Sequence, residues 1–122
     1  YLFSAQSGHA APELPAGTGD FGGDRDLSGD SRIGILASGG LSHFTVDEEL
    51  DGEVMWALRE KDAAALCALP RNKLNGGSSE IRNWICAAGA LEELPLAWTD
   101  YQPGYRTPAG TGTGLGFAIW SG

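Results

Sequence analysis

The spacing of apolar and polar residues predicts a strand and then a helix in the part of the chain that begins near residue 32. The apolar run 32–38 ends at Gly39-Gly40 and is typical of a short, buried strand. Helical spacing then predicts a helix from about 48 to 60, with Thr45 or Asp47 as its N-cap. The predicted apolar stripe of this helix consists of Leu50, Val54, Ala57 and Leu58.

Two further helices are predicted downstream. A short one begins at Asp62 and stops before Pro70, because proline cannot continue a helix. The next is capped by Ser78 or Ser79 and runs to about Leu91. Its predicted buried residues are Ile81, Trp84, Ile85 and Ala88.

The C-terminal part of the sequence reads as strands. Segments 96–101 and 115–120 are predicted strands, and a turn-rich segment, 103–110, lies between them. The order strand, helices, strand, strand predicts an α/β fold in which helices pack on a mixed sheet. We therefore expect one α/β domain over residues 32–122.

Residues 1–31 have a different composition. Segment 12–31 contains five glycines, five acidic residues and two prolines, and we predict that residues 1–31 form a loop or mobile arm. Segment 24–30 partly matches a calcium-binding loop, but Ile35 stands where that loop needs a glutamate. A solvated acidic loop is therefore favoured over a calcium site.

Composition narrows the possible functions. The chain has 122 residues, 42% of them hydrophobic, and a net charge of -8, which disfavours binding to nucleic acid or to an anionic membrane surface. No apolar run approaches the roughly 18 residues of a membrane span, and the first residues do not resemble a signal peptide. Cys67 and Cys86 lie among apolar neighbours, so we expect two buried thiols, a reducing compartment and a cytoplasmic protein.

Two side chains are candidates for chemistry. His43 follows the flexible segment 39–42, and histidine exchanges protons near neutral pH. Glu80 lies at the predicted start of a helix. Each has a purely structural alternative, because His43 suits a polar loop and Glu80 suits a helix N-terminus.

Three blocks of sequence, at 37–44, 77–85 and 105–112, together resemble the C-terminal part of class III extradiol ring-cleavage dioxygenases. This is the superfamily of the protocatechuate 4,5-dioxygenase catalytic subunit, and the resemblance covers about residues 32–122, including the intervening segment 47–51. The blocks read Ala-Ser-Gly-Gly-Leu-Ser-His-Phe, Gly-Ser-Ser-Glu-Ile-Arg-Asn-Trp-Ile and Tyr-Arg-Thr-Pro-Ala-Gly-Thr-Gly.

The resemblance implies cleavage of a catechol-type ring by O2 at a non-haem Fe(II) centre held by two histidines and one glutamate. It implies that Glu80 is the iron-binding carboxylate and that His43 is the acid/base residue outside the metal sphere. Ser42, Tyr105 and Arg106 are the implied substrate-binding residues, although Arg106 is equally suited to a structural ion pair.

The sequence departs from this family in its histidines. The family takes both metal-binding histidines from an N-terminal half that this chain lacks, and the chain has two histidines in all. His9, in a segment that faintly resembles the family's first ligand motif, is either a metal ligand or a histidine in an arm. We therefore expect a homo-oligomer or a second chain that completes the site. The alternative is a non-catalytic relative that acts as an assembly or small-molecule-binding module.

Overall fold

The structure is a computed structural model that describes residues 29 and 32–122 and the backbone of residues 3–7. It divides into two compact units, Tyr1–Ser38 and Gly39–Gly122. The division thus falls after Ser38, whereas the composition of the sequence placed a boundary after residue 31.

The first unit contains an antiparallel pair of strands, β1 (Phe3–Ser7) and β2 (Ile33–Ala37). β1 therefore lies inside the segment expected to be a loop or arm. The strand predicted at 32–38 is present as β2. The prediction that it is buried is wrong, since Leu36 is 64% exposed. The described residues of this unit form two strands and no second layer that could cover them.

The second unit begins with two capped helices, α1 (Glu48–Glu60) and α2 (Ala63–Cys67). A carboxylate oxygen of Asp47 accepts the Leu50 amide at 3.0 Å, so Asp47 is the N-cap of α1. Asp62 caps α2 in the same way. Both helices lie where the sequence predicted them, α1 from its apolar spacing and α2 from Asp62 and Pro70.

The third helix, α3 (Ile81–Ala90), starts later than expected because a 3₁₀ turn, Gly76–Glu80, precedes it. Glu80 occupies the N-cap position, so the prediction of a serine cap at Ser78 or Ser79 is wrong. The hydroxyl of Ser78 is instead bound to the backbone of a distant loop.

Two long strands close the chain, β3 (Leu96–Tyr105) and β4 (Gly112–Trp120), and they pair antiparallel. β3 extends beyond the predicted end at residue 101, which shortens the predicted turn. Helices and strands are both present, as expected for an α/β chain. The prediction of a mixed sheet is wrong for the described residues, because both of their sheets are antiparallel.

The core of the second unit forms where α1 and α3 pack against the inner face of β3 and β4. The predicted stripe of α1 is buried, with Val54 0% exposed. Ile81 and Trp84 of α3 are also buried, while Ile85 and Ala88 are partly buried against the same cluster. The buried cluster comprises Leu41, Leu50, Val54, Met55, Ala57, Leu58, Leu66, Leu69, Leu74, Ile81 and Trp84.

Both cysteines contradict the expectation of buried thiols, because Cys67 and Cys86 are free and exposed. Cys86 lies four residues after Arg82 on the solvent side of α3, away from the buried Trp84. Among the residues that the structure describes, no helix is long and apolar enough to cross a membrane.

Candidate functional site

The segment 39–44 runs beside β4 and is fixed to it through the backbone. The Leu41 amide donates to the Gly114 carbonyl at 2.8 Å, and the Gly114 amide donates to the Ser42 carbonyl at 2.8 Å. The Gly112 amide donates to the Phe44 carbonyl, also at 2.8 Å. This segment, which we call the histidine loop, is thereby held in a defined position despite its glycines.

Glu80 lies next to His43 in the folded chain. Its Oε2 atom is 3.6 Å from Nε2 of His43 and accepts the Gly40 amide at 2.9 Å. The His43 side chain is 15% exposed and that of Glu80 is 38% exposed, so the pair lies at the surface edge of the core. At 3.6 Å, the contact is an ion pair when the imidazole is protonated and is too long for a normal hydrogen bond.

Glycines make this close approach possible. A Cβ atom on Gly77 would lie 2.3 Å from Cδ2 of His43, and one on Gly39 would lie 2.9 Å from Oε2 of Glu80. Gly39 also has a φ of 138°, which side-chain-bearing residues rarely adopt. Backbone thus packs directly against both functional groups.

Ser78 fixes the backbone of His43. Its hydroxyl accepts the His43 amide and donates to the His43 carbonyl, both at 3.0 Å. The Nδ1 atom of His43 is buried and finds no hydrogen-bond partner among the described residues. Since Nε2 is the nitrogen that faces Glu80, it is the atom suited to proton exchange.

The three sequence blocks of the resemblance meet at this point. The Trp84 indole donates to the Gly39 carbonyl at 3.1 Å, which links the first block to the second. The bond between Gly112 and Phe44 links the first block to the third. Residues that are far apart in the sequence therefore surround one small region.

Ser42, a predicted substrate-binding residue, is buried beside α1. Its amide and hydroxyl both donate to the carboxylate of Asp51, at 2.8 and 2.7 Å. Tyr101 donates to the same carboxylate at 2.7 Å. Because Ser42 is only 1% exposed, its hydroxyl is bonded within the protein and does not face solvent in this structure.

Tyr105 and Arg106 lie at the end of β3. The Tyr105 hydroxyl donates to the Glu48 carboxylate, and this bond raises the pKa of Tyr105 above its usual value. Arg106 is exposed and forms no ion pair with the described residues, while its amide donates to the Thr111 carbonyl at 2.7 Å. Substrate binding by these two residues stays a prediction.

The described residues do not form a metal site by themselves. They contain no cluster of three histidine, cysteine, aspartate or glutamate side chains able to hold a metal ion. Glu80 offers one carboxylate, and His43 is the neighbouring imidazole. His9, the other predicted ligand, lies outside the described residues. These donors alone do not make the facial set of three that non-haem iron requires.

A separate cleft of about 440 Å³ lies between the helices, and neither His43 nor Glu80 lines it. Its walls are mainly apolar, and Lys61 and Glu92 contribute to its rim. The Lys61 ammonium group already donates to the Glu92 carbonyl at 3.1 Å. Because no histidine lines this cleft, whereas an imidazole and a carboxylate approach each other at His43 and Glu80, we place the candidate site at that pair.

Sequence reasoning missed three residues that shape the site: Gly77, Ser78 and Asp51. A signal existed for Asp51, since it lies three residues before Val54 and seven before Leu58, on the apolar stripe of α1. An acid at such a position requires hydrogen-bond partners once buried. Nothing in the local sequence identified those partners.

No family model, no curated protein and no solved structure matches this chain.

Proposed function

We propose that this chain is the C-terminal part of an enzyme that cleaves catechol-type rings beside the two hydroxyls, using O2 and non-haem Fe(II). In this proposal the domain corresponds to the C-terminal half of the class III extradiol dioxygenase fold. The observation that carries it is the 3.6 Å approach of the His43 imidazole to the Glu80 carboxylate. The resemblance implies complementary roles for these two residues, and their proximity supports that assignment.

His43 is the proposed acid/base residue. Its ring is held between the histidine loop and Gly77, and Nε2 faces the more exposed Glu80. From this position Nε2 would accept a proton from a catechol hydroxyl and later return it. A fixed ring favours this role, because proton transfer needs the donor and acceptor at hydrogen-bond distance.

Glu80 is the proposed carboxylate ligand of Fe(II), which when bound would supply the oxygen chemistry. The remaining donors must come from outside the described residues, since those residues hold no three-donor group. His9 and a second chain are the two proposed sources. A homo-oligomer would allow one copy to complete the site of another. We further propose that the protein works in the cytoplasm.

The test uses the full 122-residue chain. Fe(II) is added under anaerobic conditions, followed by protocatechuate and then air, and the yellow ring-opened product is followed by absorbance. The proposal predicts a colour that requires both Fe(II) and air. Iron stoichiometry near zero, with no colour, would remove catalysis from this polypeptide.

A non-catalytic assembly module is the second candidate, and one observation favours it. The outer face of β3 and β4 exposes large apolar side chains, with Trp98 50% and Phe117 47% exposed. Contiguous apolar surface of this kind marks interaction sites. If the chain self-associates but binds no iron and gives no colour in the Fe(II) experiment, the assembly module is supported over the enzyme.

A further inference from the structure

We propose that Asp51 is a positioning residue for His43. The catalytic meaning of this role rests on the proposed function, whereas its structural basis does not. Asp51 lies in α1 and is 0% exposed, and the resemblance assigns it no role. It touches Ser42, the residue directly before His43.

The carboxylate of Asp51 joins three parts of the fold. Its Oδ1 atom accepts the Ser42 amide, and its Oδ2 atom accepts the hydroxyls of Ser42 and Tyr101. The Ser42 hydroxyl in turn accepts the Asp47 amide at 2.8 Å. The histidine loop is therefore bonded to α1 and β3 through one buried acid.

The protein is built closely around this carboxylate. A Cβ atom on Gly114 of β4 would lie 1.9 Å from Oδ2 of Asp51 and 3.2 Å from the Ser42 hydroxyl oxygen. Glycine at this position lets the strand pass directly over the acid. Three donors point at the two carboxylate oxygens of Asp51, so both oxygens must accept. An ionised carboxylate meets this requirement, whereas an amide does not, because its NH2 group donates.

These bonds control the position of the imidazole through the backbone. Asp51 holds Ser42 on one side of His43, and Ser78 holds the amide and carbonyl of His43 itself. The ring then has little space, because Gly77 packs against it. Loss of the Asp51 contacts should release the loop and change the orientation of the ring.

The first test compares Asp51→Asn with Asp47→Asn in the full chain by NMR. Asp47 is a matched control, since its side chain binds Leu50 and Lys73 and not Ser42. We measure the nuclear Overhauser effect between the His43 ring proton on Cδ2 and the Gly77 α protons. All proteins compared also carry His9→Ala, so that the remaining histidine signal is that of His43. We expect Asp51→Asn to lose or broaden this signal and Asp47→Asn to keep it. An unchanged signal in folded Asp51→Asn would overturn the proposal.

Milder variants keep the test decisive if Asp51→Asn does not fold. Tyr101→Phe and Ser42→Ala each remove one hydroxyl that donates to Asp51. We expect both to weaken the same signal, and full retention in both would overturn the proposal.

A kinetic measurement separates this inference from the proposed function. If the chain opens catechol rings, Asp51→Asn should lower kcat by about 10²-fold, because small displacements of a catalytic group have effects of this size. If the wild type has no activity but the NMR signal still depends on Asp51, the positioning role stands and the proposed function fails. If the wild type is active and kcat is unchanged in Asp51→Asn, the positioning role fails alone.

Discussion

Nε2 of His43 lies 3.6 Å from Oε2 of Glu80, although α1 and α2 separate the two residues in the sequence. The same Glu80 oxygen accepts the Gly40 amide, three residues before His43. The start of α3 is thus bonded to the loop that carries the histidine. This proximity is what the proposed acid/base site requires.

Substitution of Gly77 by alanine should displace His43. The new Cβ atom would lie 2.3 Å from the ring and 2.6 Å from the His43 carbonyl oxygen, and both contacts are too short. We expect a loss of stability of about 1–3 kcal/mol, as for other overpacked sites, and a loss of activity. Urea unfolding and the ring-opening assay measure the two effects.

Gly52→Ala is the control for that experiment. Gly52 lies inside α1, and a Cβ atom there would meet nothing within 4 Å. We expect a gain in stability of about 0.5–1 kcal/mol, because glycine is a poor helix former. If Gly77→Ala were as stable and active as Gly52→Ala, the close packing around His43 would be refuted.

Alkaline pH should destabilise the second unit through Tyr101. Burial and the hydrogen bond to Asp51 raise the pKa of Tyr101 above its usual value of 10.0. The stabilisation is therefore complete below pH 10, where the tyrosine is protonated in both states. It declines above pH 10, because only the unfolded state then readily loses the proton.

Urea unfolding at pH 9, 10 and 11 checks this prediction. We expect the free energy of unfolding of the wild type to fall more steeply above pH 10 than that of Tyr101→Phe. Tyr105→Phe is the comparison: the bond to Glu48 also raises the pKa of Tyr105, but Tyr105 is 53% exposed, so we expect this variant to keep most of the wild-type slope. Identical slopes in the wild type and Tyr101→Phe would contradict the assigned role of Asp51 as a partner of Tyr101.

The sequence predicted the helices better than the site. Apolar spacing located α1 because its stripe is regular, and Asp47 marked its start. The end of β3 was missed, since Pro103 and Gly104 normally indicate a turn but here lie in a paired strand. Burial of β2 and of the cysteines was also mispredicted, because local apolar neighbours do not reveal which face another element covers.

Within the site, the resemblance supplied His43 and Glu80 as candidates, and the fold supplied their proximity. The partners of Ser42 could not be predicted, because they lie on α1 and β3 and depend on tertiary packing. The same limit applies to Gly77. Its role follows from the ring packed against it and not from its neighbours in the sequence.

The exposed apolar face of β3 and β4 should mediate self-association. Trp98 and Phe117 lie in contact there, with ring centroids 6.5 Å apart, and Ile119 is 53% exposed. We expect the chain to form oligomers in sedimentation equilibrium and Trp98→Ser to weaken them, because burial of large apolar side chains drives association.

Trp56→Ser is the matched control for this prediction. Trp56 is 53% exposed, but it lies on α1 and not on the sheet. Trp56→Ser should leave the association constant of the oligomer unchanged. A wild-type chain that stays monomeric at all concentrations would count against the predicted oligomer.

The most direct measurement of the central claim compares kcat with bound iron per polypeptide in the wild type, His43→Ala and Glu80→Gln. Loss of an acid/base group should lower kcat by about 10²–10⁴-fold while iron remains bound in His43→Ala. Glu80→Gln should lose iron and activity together. If His43→Ala lost iron and activity in equal measure, or if Glu80→Gln kept both, the two residues would not have the roles that we propose.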